Sequence, residues 1–72
     1  MRNIDVRALR LLENMSQKEF AATIGCSESN ISMIETGQRT LTDRVRTLIY
    51  CRFPIRDEVY ARRMREVADL FN

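Results

Sequence analysis

The 72-residue sequence contains no histidine and no tryptophan, and it has only two cysteines, two glycines and one proline. Without histidine, histidine-based acid–base catalysis and a Cys/His zinc site are excluded. Two cysteines, Cys26 and Cys51, do not make a disulfide framework, so we expect free thiols that fill the core. A glycine-rich phosphate loop and paired carboxylates in a cleft are also missing. We therefore expect a protein that is not an enzyme and needs no metal or cofactor.

No apolar run reaches 18 residues, so the sequence predicts no membrane span. The first five residues lack the apolar stretch of a signal peptide, which favours a cytoplasmic location. A chain of this length fits one domain, residues 1–72, with no room for a separate sensor or catalytic domain. We divide it into a core of about residues 4–53 and a C-terminal helix of about residues 55–72.

The net charge is only +2, but the charges are unevenly distributed. Residues 1–35 carry four basic and five acidic side chains, whereas residues 36–65 carry eight basic and three acidic ones. Eleven of the twelve cations are arginine, which suits phosphate and guanine recognition. The second half is thus the better candidate to contact an anionic partner, although a solvated helical surface has a similar composition.

Capping residues and apolar spacing predict five helices and no strands. The helices are expected at about residues 4–13, 16–24, 27–36, 42–52 and 56–71. Asn14 suits a left-handed C-terminal cap. Ser16 and Glu19 have the spacing of a capping box, and Ser27 and Thr42 are N-caps of the next two helices. The expected inward-facing residues of the first four helices are Val6, Leu9, Leu12, Phe20, Ile24, Ile31, Ile34, Val45, Leu48 and Ile49.

Residues 17–36 have the spacing of two short helices joined by a tight turn. Phe20 and Ile24, four apart, give the first of these helices one apolar stripe. Gly25 stands where a turn needs a positive φ, and Ile31 and Ile34 face inward from the second helix. This pattern predicts a helix-turn-helix, which places its second helix in the major groove of DNA.

The outward side of that second helix supplies the candidate base-reading residues. Ser29 can bond to several base types, Met33 can pack on a thymine methyl group, and Glu28 can accept from cytosine N4. Glu28 equally suits a first-turn acid that stabilises the helix dipole. The predicted base-reading residues are Glu28, Ser29, Met33 and Ser32.

Phosphate contacts are expected from helix N-termini and from the polar segment after the reading helix. Gln17 begins its helix, where its side chain either contacts a phosphate or is a solvated amide. Ser27 also has two interpretations, a phosphate contact and the N-cap of the next helix. The predicted phosphate-binding residues are Gln17, Ser27, Thr36, Gln38, Arg39, Thr40 and Arg44.

The stretch from about Val6 to Phe53 resembles the XRE family, the Cro and lambdoid phage-repressor type of helix-turn-helix protein. The resemblance rests on Leu9-Arg10, Ser16-Gln17, Phe20-Ala21, Gly25, Ser27, Ile31-Ser32 and Glu35-Thr36-Gly37. It implies an all-α, compact five-helix, lambda-repressor-like domain with the helix-turn-helix at helices 2 and 3. It also implies a structural ion pair between Arg10 and Glu35, and it assigns phosphate contact to Gln17.

The last predicted helix is the part least explained by a DNA-reading core. A seam at i, i+4, i+7 and i+11 could pack on a partner helix, and its residues are Tyr60, Met64, Val67 and Phe71. Alternatively, all four belong to the core of the same chain. Ile55, Val59 and Ala68 form a second apolar edge, expected to pack on the same domain.

Together these features suggest a transcriptional repressor from a phage, plasmid or other mobile element. The resemblance implies that it binds a palindromic operator in double-stranded DNA as a homodimer. We also expect it to lie on the nucleoid when bound, and to use neither a membrane nor a small-molecule ligand. The alternative is a protein-interaction module of antitoxin or anti-repressor type. In that case the helix-turn-helix is a scaffold and the last helix binds the partner protein.

Overall fold

The computed structural model describes residues 5–70, which form five helices and no strand. The helices are α1 (Val6–Leu12), α2 (Gln17–Ile24), α3 (Glu28–Glu35), α4 (Asp43–Arg52) and α5 (Glu58–Asp69). The radius of gyration, 11.2 Å, is that of a compact domain of this length. The predicted all-α class is thus confirmed. Within residues 5–70, none of the helices is long and apolar enough to cross a bilayer.

Side-chain hydrogen bonds determine where the central helices begin. The Ser16 hydroxyl accepts from the Glu19 N–H (3.0 Å), and the Glu19 carboxylate accepts from the Ser16 N–H (2.9 Å), which is the predicted capping box. Ser27 and Thr42 cap α3 and α4 in the same way. Asn14 has a φ of +58°, as expected of a left-handed residue after a helix.

The first and last helices are shorter than the sequence predicts. Asp5 is the N-cap of α1, because its carboxylate accepts from the Ala8 N–H. In the same way the Asp57 carboxylate accepts from the Tyr60 N–H, so α5 begins at Glu58 rather than near residue 56. Helix α5 ends at Asp69, short of the predicted end near residue 71.

The core lies among the first four helices. Its largest fully buried side chains are Phe20, Leu9, Ile24, Ile31 and Ile49. The rings of Phe20 and Phe53 are stacked, with centroids 5.5 Å apart and an angle of 6° between their planes. Three predicted core residues, Leu12, Ile34 and Leu48, are only half-buried, because they lie at the edges of the apolar faces.

Helix α5 packs mainly on α1 and has no fully buried residue. Tyr60 and Met64 lie against the core of their own chain, and the Tyr60 hydroxyl donates to the Glu13 carboxylate. Tyr60 and Met64 therefore take the alternative position expected for them, against the core of their own chain, and use of the seam by a partner chain stays a prediction. Val67 is half-buried, and Phe71 lies outside the described residues.

Two further expectations are wrong. Val59, expected to pack on its own domain, is 56% exposed, because it lies off the face of α5 that meets α1. Cys51, expected in the core, is exposed, whereas Cys26 is half-buried against the core.

Candidate nucleic-acid interface

A three-residue turn joins α2 to α3. Gly25 adopts a φ of +86°, a backbone conformation that side chains with a Cβ atom rarely adopt. The N–H groups of Gly25 and Cys26 both donate to the Ala21 carbonyl at 2.9 Å, which closes the end of α2. The Ser27 hydroxyl then accepts from the Asn30 N–H at 3.1 Å and starts α3. The turn predicted from Gly25 is thus the turn that the chain makes.

Helix α3 separates a packed side from a polar side. Ile31 is fully buried and Ile34 is half-buried against the core. Among the predicted base-reading residues, two are exposed (Glu28 and Ser29) and two are half-buried (Ser32 and Met33). A helix with one packed side and one accessible polar side can enter a major groove while it stays attached to its domain.

The two ends of the helix-turn-helix are joined to α1 through Glu35. Arg10 donates from Nε to Glu35 Oε2 (2.8 Å) and from Nη2 to Oε1 (3.0 Å), so the predicted partners meet in a two-point ion pair. The side chains of Arg10 and Glu35 are only 14% and 5% exposed. The hydrogen bond to Glu35 raises the pKa of Arg10 above its ordinary value. Arg10 Nη1 also donates to the Met15 carbonyl at 3.0 Å, so one guanidinium links α1, the following loop and the end of α3.

Gln17 belongs to the same cluster. Its Nε2 atom donates to Glu35 Oε1 at 3.2 Å, and the side chain is half-buried. Gln17 is therefore neither a fully solvated amide nor a side chain free to swing toward any anion. The contact holds the start of α2 beside the end of α3.

The segment after α3 folds back onto that helix. The Thr36 hydroxyl donates to the Ser32 carbonyl at 3.1 Å and so satisfies a carbonyl at the end of the helix. The Arg39 N–H donates to the Met33 carbonyl (3.1 Å), and Arg39 Nη1 donates to Asn30 Oδ1 (2.8 Å). Sequence reasoning gave Asn30 no role, because its partner is nine residues away and no spacing rule connects the two.

An open cavity of about 780 Å³ lies between the turn and the start of α4. It brings together four of the predicted phosphate-binding residues, whereas Gln17, Thr36 and Gln38 are not among its lining residues. The four are Ser27, Arg39, Thr40 and Arg44. Cys26 also lines the cavity, and partial burial raises the pKa of its thiol. The lining thus includes two arginines with hydroxyl and amide side chains, beside the apolar Val45 and Leu48. Arginine and hydroxyl groups are donors that can hold an anion.

In the described part of the chain, no group of three or more His, Cys, Asp or Glu side chains is arranged to hold a metal ion.

The five-helix fold, with α2 and α3 joined by the tight turn at Gly25, defines a helix-turn-helix protein. The sequence matches the helix-turn-helix family over residues 6–45, more than half of its length, so the chain belongs to this family, in its XRE group. The match includes α1, α2, α3 and the N-terminal turn of α4. No curated protein and no solved structure matches the chain. The family assignment makes the protein a DNA-binding regulator.

Proposed function

We propose that the protein is a sequence-specific transcriptional repressor, from a phage or another mobile element, that binds a palindromic operator as a homodimer. The observation that carries this proposal is the polar side of α3, which is accessible to DNA while Ile31 on its other side is fully buried. Nothing in residues 5–70 packs over Glu28 and Ser29, which are both exposed.

The first step is the insertion of α3 into the major groove. Ser29 bonds to base edges there, Met33 packs on a thymine methyl group, and Glu28 accepts from cytosine N4. The hydrogen bond from the Asn30 N–H to the Ser27 hydroxyl and the buried Ile31 keep these side chains on a preformed helix. Little conformational entropy is therefore lost when the helix meets DNA.

The second step is the fixing of register by phosphate contacts, which orient the protein but carry no sequence information. Arg39, Thr40 and Arg44 reach the phosphates on one side of α3, from the cavity that they share. On the other side of α3, Gln17 binds a phosphate through its backbone N–H at the start of α2, since its side chain is hydrogen-bonded to Glu35.

The third step is steric repression. Two copies occupy successive major grooves, about 34 Å apart, and exclude polymerase from the promoter. The two-fold symmetry of the dimer then requires a palindromic site.

The test is the salt dependence of binding to a short duplex. Each neutralised phosphate adds about −0.9 to the slope of log K against log salt concentration. Arg44→Gln should therefore reduce the magnitude of the slope by about one, because it removes one phosphate contact. The matched control is Arg65→Gln, which removes an exposed arginine from α5, a helix that packs mainly on α1.

An unchanged slope in the Arg44 variant would show that the cavity does not face the DNA backbone. Salt-insensitive binding to a protein partner, with no affinity for DNA, would instead support the interaction-module alternative.

A further inference from the structure

Arg10 and Arg39 are both held by side chains of α3, but the two acceptors differ in charge. Arg10 is bonded to the Glu35 carboxylate, so its positive charge is balanced within the domain. Arg39 Nη1 donates to Asn30 Oδ1 at 2.8 Å, and Arg39 forms no ion pair with another residue of the described range 5–70. The Asn30 amide is neutral, so it orients the Arg39 guanidinium and leaves its full charge to attract an anion.

Asn30 is a rigid support for this contact. It is the third residue of α3, and its N–H donates to the Ser27 hydroxyl that caps the helix. Asn30 is half-buried, whereas Arg39 is exposed. A long exposed side chain samples many rotamers, so the hydrogen bond to a fixed amide restricts Arg39 far more than it restricts Asn30.

The segment after α3 brings Arg39 back to this amide. Gly37 has a φ of +82°, which turns the chain at the end of the helix. The Arg39 N–H then donates to the Met33 carbonyl at 3.1 Å. The main chain of Arg39 is thus bonded to the second half of α3 and its side chain to the first turn, so Arg39 lies along the helix.

Asn30 and Arg39 both line the open cavity between the turn and α4. The described residues that line it also include Arg44, and none of them is an aspartate or a glutamate. An anion in the cavity therefore meets two positive charges and no negative one. The bond to Asn30 uses a single N–H of Nη1, so the guanidinium retains other donors for a phosphate oxygen.

We propose that Asn30 is a positioning residue that holds the Arg39 guanidinium where it binds a phosphate of the DNA backbone. The inference rests on the proposed function, since it explains how one of its phosphate contacts is set in place before DNA binds. Because Arg39 is ordered on α3 in the free protein, less side-chain entropy is lost on binding. The bond also attaches a phosphate contact to the helix that enters the groove.

The test is a double-mutant cycle on the dissociation constant of the full chain for a labelled DNA duplex of arbitrary sequence, measured by fluorescence anisotropy. Asn30→Ala should raise the dissociation constant about fivefold, because Arg39 must then be ordered on binding. In a chain that already has Arg39→Ala, the same change should have no further effect.

The matched control is the same cycle with Arg44→Ala. Arg44 lines the same cavity, but it is not hydrogen-bonded to Asn30. Asn30→Ala should therefore cost the same fold-change with and without Arg44→Ala. Circular dichroism should show equal helix content in all of these variants.

A second measurement needs no DNA. The heteronuclear NOE of the Arg39 Nε–H group reports how rigid the side chain is on the picosecond-to-nanosecond timescale. In Asn30→Ala it should fall to the value of Arg65, an exposed arginine of α5.

A loss of the same size with and without Arg39→Ala would overturn the positioning role, since Asn30 would then contact DNA itself. The proposed function would stand in that case, because the chain still binds DNA. If the original chain binds no duplex while the NOE of Arg39 responds as expected, Asn30 still orders Arg39, but the proposed function fails and the phosphate contact fails with it.

Discussion

At the scale of the residue, Glu35 connects three parts of the helix-turn-helix domain. Its carboxylate accepts from Arg10 at two points and from Gln17 at a third, and its side chain is 5% exposed. These contacts join the end of the reading helix to α1 and to the start of α2. The ion pair thus joins α3 to α1, and together with the Gln17 contact it holds α3 and α2 in a constant relation.

Glu35→Gln should lower the free energy of unfolding by about 3 kcal/mol, because it leaves the largely buried Arg10 without a countercharge. The replacement amide can accept at one atom only, so the second contact to Arg10 becomes repulsive. Urea denaturation monitored by circular dichroism measures this loss of unfolding free energy directly.

The control is Asp43→Asn, which removes the other ion pair of the described residues, Arg46–Asp43. The Asp43 side chain is 97% exposed, so its loss should cost less than about 1 kcal/mol. Equal losses in the two variants would contradict the structural role of Glu35.

Contacts between distant residues explain what the sequence could not predict at this scale. Gln17 and Arg39 were assigned to phosphates from their positions beside helix ends. The structure adds that Gln17 donates to Glu35 and Arg39 donates to Asn30. Both partners are nine or more residues away, and only the folded chain brings them into reach.

At the scale of the element, helix starts were predictable because a cap depends on residues only three apart. The box formed by Ser16 and Glu19 and the caps Ser27 and Thr42 stand where the sequence places them. The partner of an apolar face was not predictable in this way. The spacing of Tyr60 and Met64 describes a stripe, but it does not say whether α1 of the same chain or another chain covers it.

The capping box also predicts how α2 responds to acid. Hydrogen bonds from the Ser16 backbone and side chain hold the pKa of Glu19 below its ordinary value of 4.5. A group whose pKa is lower in the folded state contributes stability at pH values above its ordinary pKa. This contribution is lost as the pH falls through the folded-state pKa. Glu19→Gln keeps a hydrogen-bond acceptor but does not titrate, so its unfolding free energy should fall less on acidification than that of the original chain.

The measurement is thermal unfolding at a series of pH values from neutral to below 4.5. Glu58→Gln is the control, since this first-turn acid of α5 lies outside any capping box. An identical acid response in the original chain and in the Glu19 variant would show that the box contributes nothing to this pH dependence.

At the scale of the whole molecule, the domain presents two different surfaces on one small core. In the proposed function, the polar side of α3 and the cavity with Arg39 and Arg44 form the surface that faces DNA. Helix α5 packs mainly on α1 and leaves Val59 and Leu70 exposed. The proposed homodimer would present two reading helices related by a two-fold axis, which is the symmetry of a palindromic operator.

The most direct test of this account is selection of DNA from a random pool by the purified protein, with the mass of the complex measured by light scattering. The account predicts a palindromic consensus bound by two copies of the chain, with half-sites about 34 Å apart. Repeating the selection with Met33→Ala should change the preference at one or two base pairs by about 1–3 kcal/mol each, because a contact to a base edge is lost. Absence of an enriched sequence from a well-folded protein, or a consensus bound by a single copy, would contradict it.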